Sequence, residues 1–167
     1  MKFQRIQFFS GLKAENAAQV IYDLLDIKPG EVKELGRSWI YRRTAKDIEY
    51  IDRIVLLTDD PHSVKSEQPD TVLNKWRSQN DNFFIFLPYA PVRGCPIEFI
   101  PANSVSYQDY EDGKAIQKYN HFRDSCEWRL FDTSGRILSR KNWPLEKNLI
   151  VPEVKWLSNT RIIIFKG

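Results

Sequence analysis

The sequence predicts an α+β fold: one domain over residues 1–167, built mainly on antiparallel sheet, with about two helices and a β-rich C-terminal half. Three observations lead there. The chain has 16 Ile against 7 Ala, and branched or flat side chains suit a pleated surface better than a helix. Two stretches, residues 14–26 and 69–79, read as the main helices by their apolar spacing, and no regular alternation of strand and helix follows them. Beyond Phe83, short apolar runs separated by Pro, Gly and Asp recur to the C-terminus.

The elements follow in order. Residues 2–9, rich in Phe and Ile, read as a first strand. Residues 14–26 read as a helix, because Ala17, Val20, Ile21, Leu24 and Leu25 share a face and Pro29-Gly30 follows as a stop. Residues 38–44 and 47–57 read as two strands around a short turn. Residues 58–69 form a polar loop. Residues 69–79 read as a second helix, with Pro69 in its first turn and Val72, Leu73 and Trp76 on one face. Residues 83–87 are a continuous apolar strand. Residues 97–100, between Pro96 and Pro101, suit an edge strand. Residues 104–110 and 114–122 flank Glu111-Asp112-Gly113 as a hairpin, a helix over 109–119 being the competing reading. Residues 126–140 form the clearest hairpin, turning at Asp132-Thr133-Ser134-Gly135 with Gly135 in the left-handed position. Residues 149–151 and 160–165 supply the last strands.

No apolar run approaches the roughly 20 residues that span a bilayer, and the N-terminus lacks the pattern of a signal peptide. The expectation is a cytoplasmic protein with no membrane association. In a reducing cytosol Cys95 and Cys126, which form no CxxC pair, are expected as small buried hydrophobes, a bridge between them being the alternative. The formal net charge is +3, and residues 123–167 hold 9 basic and 5 acidic residues. A basic C-terminal third suits an anionic partner.

Phosphate-binding glycine loops, nucleophile elbows and zinc-ligand pairs are absent from the sequence. With two histidines, His62 and His121, a multi-histidine metal site is excluded, and no cofactor is expected. Asp52 stands out as a carboxylate on the apolar face of the strand over 47–57, to be paired or functional. The leading functional reading is a non-catalytic binding domain whose partner is anionic, nucleic acid being the candidate. Arg42 and Arg43 lie beside Trp39 and Tyr41, while Arg136, Arg140 and Lys141 lie beside Trp143. Basic side chains neutralise phosphates, and aromatic ones stack on bases. The enzymatic alternative is a metal-dependent nuclease using Asp132, Glu153 and Lys155, two carboxylates for a divalent cation and a lysine for water. A third reading, an adaptor or inhibitor of another protein, rests on the aromatic content.

Overall fold

A computed structural model of the chain describes residues 3–8, 18–57, 67–109, 111–138 and 147–165. It is mostly antiparallel sheet, in three small sheets, with two α-helices among the described residues. The chain divides into two units, Pro29–Pro152 and the paired end segments Met1–Lys28 and Glu153–Gly167.

The unit of end segments is a four-stranded sheet. Strands β1 (Phe3–Phe8) and β2 (Ala18–Asp23) pair antiparallel, and in the C-terminal segment so do β9 (Lys155–Ser158) and β10 (Arg161–Phe165). The order is β1-β2-β10-β9. The helix expected over 14–26 is not formed from residue 18 onward; residues 14–17 lie outside the described part. Gln19, Val20 and Ile21 are buried in succession, the burial of a strand rather than of one helix face. Only Leu24–Asp26 turn, as a short 3-10 segment capped by the Asp23 carboxylate on the Leu25 N–H at 3.1 Å. The Val20-Ile21-Tyr22 run, favoured in sheets, outweighs the helical spacing around it.

The larger unit holds two three-stranded sheets. β3 (Val32–Leu35), β4 (Ser38–Arg42) and β5 (Phe83–Phe86) form one, in that order. β6 (Ile97–Ile100), β7 (His121–Asp124) and β8 (Leu130–Phe131) form the other. Tyr41, Phe84, Phe86, Phe122, Phe131, Ile137 and Leu149 fill the core of this unit.

The strand expected over 47–57 is helix α1 (Ala45–Leu57) instead. Thr44 and Asp47 explain it. The Thr44 hydroxyl accepts the Asp47 N–H at 3.1 Å, and the Asp47 carboxylate accepts the Thr44 N–H at 2.8 Å. This reciprocal pair satisfies donors that a helix start otherwise leaves without partners. Asp47, Tyr50 and Ile51 form the buried face. Asp52 is half-exposed on α1 and ion-paired with Lys75, so it is not a carboxylate on an apolar sheet face. The hairpin turn expected at Glu111-Asp112-Gly113 is helix α2 (Glu111–Ile116), the competing reading.

The helix expected over 69–79 does not form. Its carbonyls are used elsewhere: those of Asn74 and Lys75 accept from the Arg136 guanidinium, and that of Trp76 accepts from Arg43. A helix over 69–79 would spend the Asn74 and Lys75 carbonyls on the N–H groups of Ser78 and Gln79, four residues on. The segment closes instead through Leu73 N–H to Ser78 and a left-handed Arg77, φ 50°.

Candidate functional site

Of the basic residues marked by the sequence and described in the structure, two are inside the protein. Arg43 and Arg136 are 2% and 3% exposed. Arg43 donates to the carbonyls of Thr133 (3.1 Å), Asp81 (2.9 Å) and Trp76 and to the Ser134 hydroxyl (3.0 Å), with its guanidinium over the rings of Trp76 and Phe84. Arg77, which sequence reasoning passed over, donates to the carbonyls of Ser134 (3.0 Å), Gly135 (3.2 Å) and Leu149 (2.8 Å). Burial pulls both guanidinium pKa values down to about 9, partly offset by the Asp132 charge. Both therefore stay charged at neutral pH, and their charge is spent on main-chain carbonyls.

Together these arginines hold the turn at 132–135 from inside, so Arg43 and Arg136 offer no phosphate-facing surface. Arg42 is half-buried, its guanidinium 5.6 Å from the Phe83 ring centre. Arg140 and Lys141 lie outside the described residues.

Asp132 is fully buried. Its carboxylate accepts the N–H groups of Ser134 (2.8 Å) and Arg136 (3.0 Å), which makes it the brace of the turn rather than a metal ligand open to solvent. Glu153 and Lys155 are exposed, Glu153 outside any strand and Lys155 at the start of β9. Among the described residues no group of three or more His, Cys, Asp or Glu is placed to hold a metal ion. Asp132 belongs to the larger unit, and Glu153 and Lys155 to the unit of end segments.

The feature that stands out is a pair of loops at one end of the β6–β7 hairpin, residues 88–96 and 124–129. In the antiparallel register Ile97 faces Asp124. One step outward, the Ser125 N–H donates to the Pro96 carbonyl at 2.9 Å. Two steps outward, Cys95 faces Cys126, with Cα atoms 5.9 Å apart, and a disulfide joins them. The expectation of two separate buried thiols is thus corrected. Strand register brings residues 31 apart into bonding distance, and Cys126 is exposed rather than buried.

The second loop is organised by Asp124. Its carboxylate accepts the N–H groups of Cys126 (3.1 Å), Glu127 (2.6 Å) and Arg129 (3.2 Å). Glu127 is ion-paired with Arg93 of the first loop and with Arg129 at 2.7 Å. Trp128 has φ 59° and stands 53% exposed, with the Arg123 guanidinium 4.1 Å from its ring centre. Tyr89 and Val92 are also exposed, so the clasped loops present apolar side chains to solvent.

At the far end of β7, His121 is fully buried. Its Nε2 lies 2.8 Å from the Tyr107 hydroxyl and its Nδ1 lies 2.8 Å from the Tyr119 carbonyl. Burial pulls its pKa down, against the opposing pull of the Tyr119 carbonyl.

No protein-family model matches the chain. The chain is similar to the ubiquinol–cytochrome c reductase iron–sulfur subunit of Allochromatium vinosum. The two are 27% identical over 155 residues, 88% of this chain and 69% of that protein.

This similarity overturns the nucleic-acid reading and, with it, the nuclease. It also overturns the expectation of a cytoplasmic protein without membrane association, since that relative is a subunit of a ubiquinol–cytochrome c reductase. No helix among the described residues is long and apolar enough to cross a membrane.

Proposed function

We propose that this chain serves as an iron–sulfur-subunit-like domain in an electron-transfer assembly of the ubiquinol–cytochrome c reductase type, docking through the clasped loops. The observation that carries the reading is the similarity, which runs through 88% of the chain. The disulfide fits it, because such bridges persist in oxidising compartments and are rare in the cytosol. The exposed Trp128, Val92 and Tyr89, and the Arg93–Glu127 ion pair between the loops, are apolar and charged side chains of the kinds that protein docking uses.

An iron–sulfur cluster is held by four cysteine thiolates, or by two thiolates and two imidazoles in the Rieske type. The chain has two cysteines and two histidines in all, which excludes four thiolates. The mixed set does not fit either. Both sulfurs are bonded to each other, and His121 has both ring nitrogens engaged with tyrosines. His121 also stands three residues along β7 from Asp124, about 10 Å from the loop that carries Cys126.

The test is co-purification. The full chain, tagged in its own cell, is extracted with the membrane fraction. It is expected to travel with haem absorbance and with ubiquinol-dependent reduction of cytochrome c. Trp128→Glu, on the docking face, should weaken that association by about tenfold or more. A chain recovered free of haem and of that activity would refute the reading.

A further inference from the structure

The donor mismatch has a positive side, because the loops are held by other means. We infer that this chain carries no iron–sulfur cluster and that the Cys95–Cys126 disulfide and the Asp124 carboxylate hold its loop pair in place of a metal centre. It would then be a redox-silent counterpart of an iron–sulfur subunit. The inference deepens the proposed function and rests on it for the kind of assembly concerned, but its chemistry stands on this chain alone.

A metal site ties together segments that would otherwise separate, and its binding energy becomes folding energy. Here three covalent or polar ties do that work across the two loops. They are the disulfide, the Ser125 N–H to Pro96 carbonyl bond, and the Arg93–Glu127 ion pair. Within the second loop, main-chain N–H groups turned toward a common centre would suit an anionic cluster, whose sulfurs accept hydrogen bonds. That centre is already filled by a carboxylate of the chain itself, since Asp124 takes the N–H groups of residues 126, 127 and 129. The Arg123 guanidinium lies over the ring of Trp128 in the same loop. The result is a loop pair tied by its own side chains, with no free thiolate in either loop and, among the described residues, no imidazole facing it.

The experiment measures iron and folding on the full chain. Protein made in a host with its own cluster-assembly machinery is purified anaerobically. A second sample is reduced with dithiothreitol, then incubated with ferrous iron and sulfide. Iron, acid-labile sulfide and the electron paramagnetic resonance of dithionite-reduced protein are read on both. The expected result is less than about 0.1 iron per chain and no cluster signal; about two irons per chain with such a signal overturns the inference.

Thermal midpoints are the second readout. Reduction, and separately the Cys95→Ser/Cys126→Ser double variant, should each lower the midpoint by about 10 °C. Iron and sulfide should restore neither. A midpoint unchanged by reduction, or one restored by iron, overturns the inference.

Should the reduced chain unfold, the iron content of the oxidised protein as purified still decides. An iron-free chain outside any cytochrome assembly would refute the proposed function and leave this inference standing. An iron-loaded chain inside one would do the reverse.

Discussion

Replacing Gly135 by alanine tests the turn on which the buried arginines converge. Gly135 has φ +72°, and a Cβ there would lie 2.7 Å from Phe84 Cζ, 2.9 Å from an Arg77 guanidinium nitrogen and 3.0 Å from Leu149 Cβ. Left-handed backbone costs an L-residue about 1–2 kcal/mol. The contacts add to it, because none of the three neighbours can yield freely. Phe84 is fully buried and stacked on Phe86 with ring centres 5.0 Å apart, and the Arg77 nitrogen is tied to the Ser134 and Gly135 carbonyls. Overpacking of this kind costs about 1–3 kcal/mol, for a sum of about 2–5 kcal/mol.

Natural stabilities are about 5–15 kcal/mol, so the loss should be visible as a fall in thermal midpoint of about 5–20 °C. Gly36→Ala is the control. Its φ is +61°, yet nothing lies within 4 Å of the added methyl, so only the backbone cost of about 1–2 kcal/mol should be seen. Urea unfolding followed by tryptophan fluorescence gives both numbers. Equal costs at the two glycines would refute the close approach, and an unchanged midpoint for Gly135→Ala would refute the left-handed turn itself.

The other predictions use the same assay. His121 is held neutral by burial, so its folded pKa lies below the unfolded value of 6.5. As pH falls the unfolded chain takes the proton first; stability should be level above about pH 6.5 and decline below it, less so in His121→Asn. A midpoint that rises on acidification would refute this. Asp47→Ala removes the brace of α1 and the acceptor of the Tyr41 hydroxyl, and should cost about 2–4 kcal/mol, while Asp47→Asn should recover part of it. Arg43→Met takes the donor from the buried Thr133 carbonyl and from the part-buried carbonyls of Trp76 and Asp81, and should cost about 3–5 kcal/mol; a loss below about 0.5 kcal/mol would mean the side chain sits at the surface after all.

The strands legible in the sequence were those whose chemistry is local. Residues 83–87 and 97–100 are apolar runs bounded by Pro or Asn, and they appear as β5 and β6. Gly135 was legible for the same reason, since Asp132 and Gly135 specify a turn within four residues. The helices were misplaced because their signal competes with longer-range demands. Over 47–57 alternation and helical spacing are both satisfied by Ile48, Tyr50, Ile51 and Ile54, and the deciding signal was the Thr44–Asp47 cap just upstream. Over 69–79 no local signal could have decided, because the carbonyls of residues 74–76 are claimed by Arg43 and Arg136 from 33 and more residues away.

The candidate site shows a harder limit, which lies in the difference between having a residue and having it free to act. Arginines beside aromatic residues can line a phosphate groove or anchor a turn from within, and the composition is the same in both. What separates the two is whether unclaimed carbonyls lie within reach, and only the folded chain answers that. The cysteines and histidines make the same point. By count alone, two of each match the donors of a Rieske-type centre. Strand register then sets Cys95 against Cys126, and burial sets His121 between two tyrosines at the opposite end of the same strand. Three of the four donors are thereby committed to the protein's own structure. A cluster would have to displace a disulfide and a buried hydrogen-bonded pair to form, which is why iron content, rather than sequence similarity, discriminates an electron carrier from a frame that only docks.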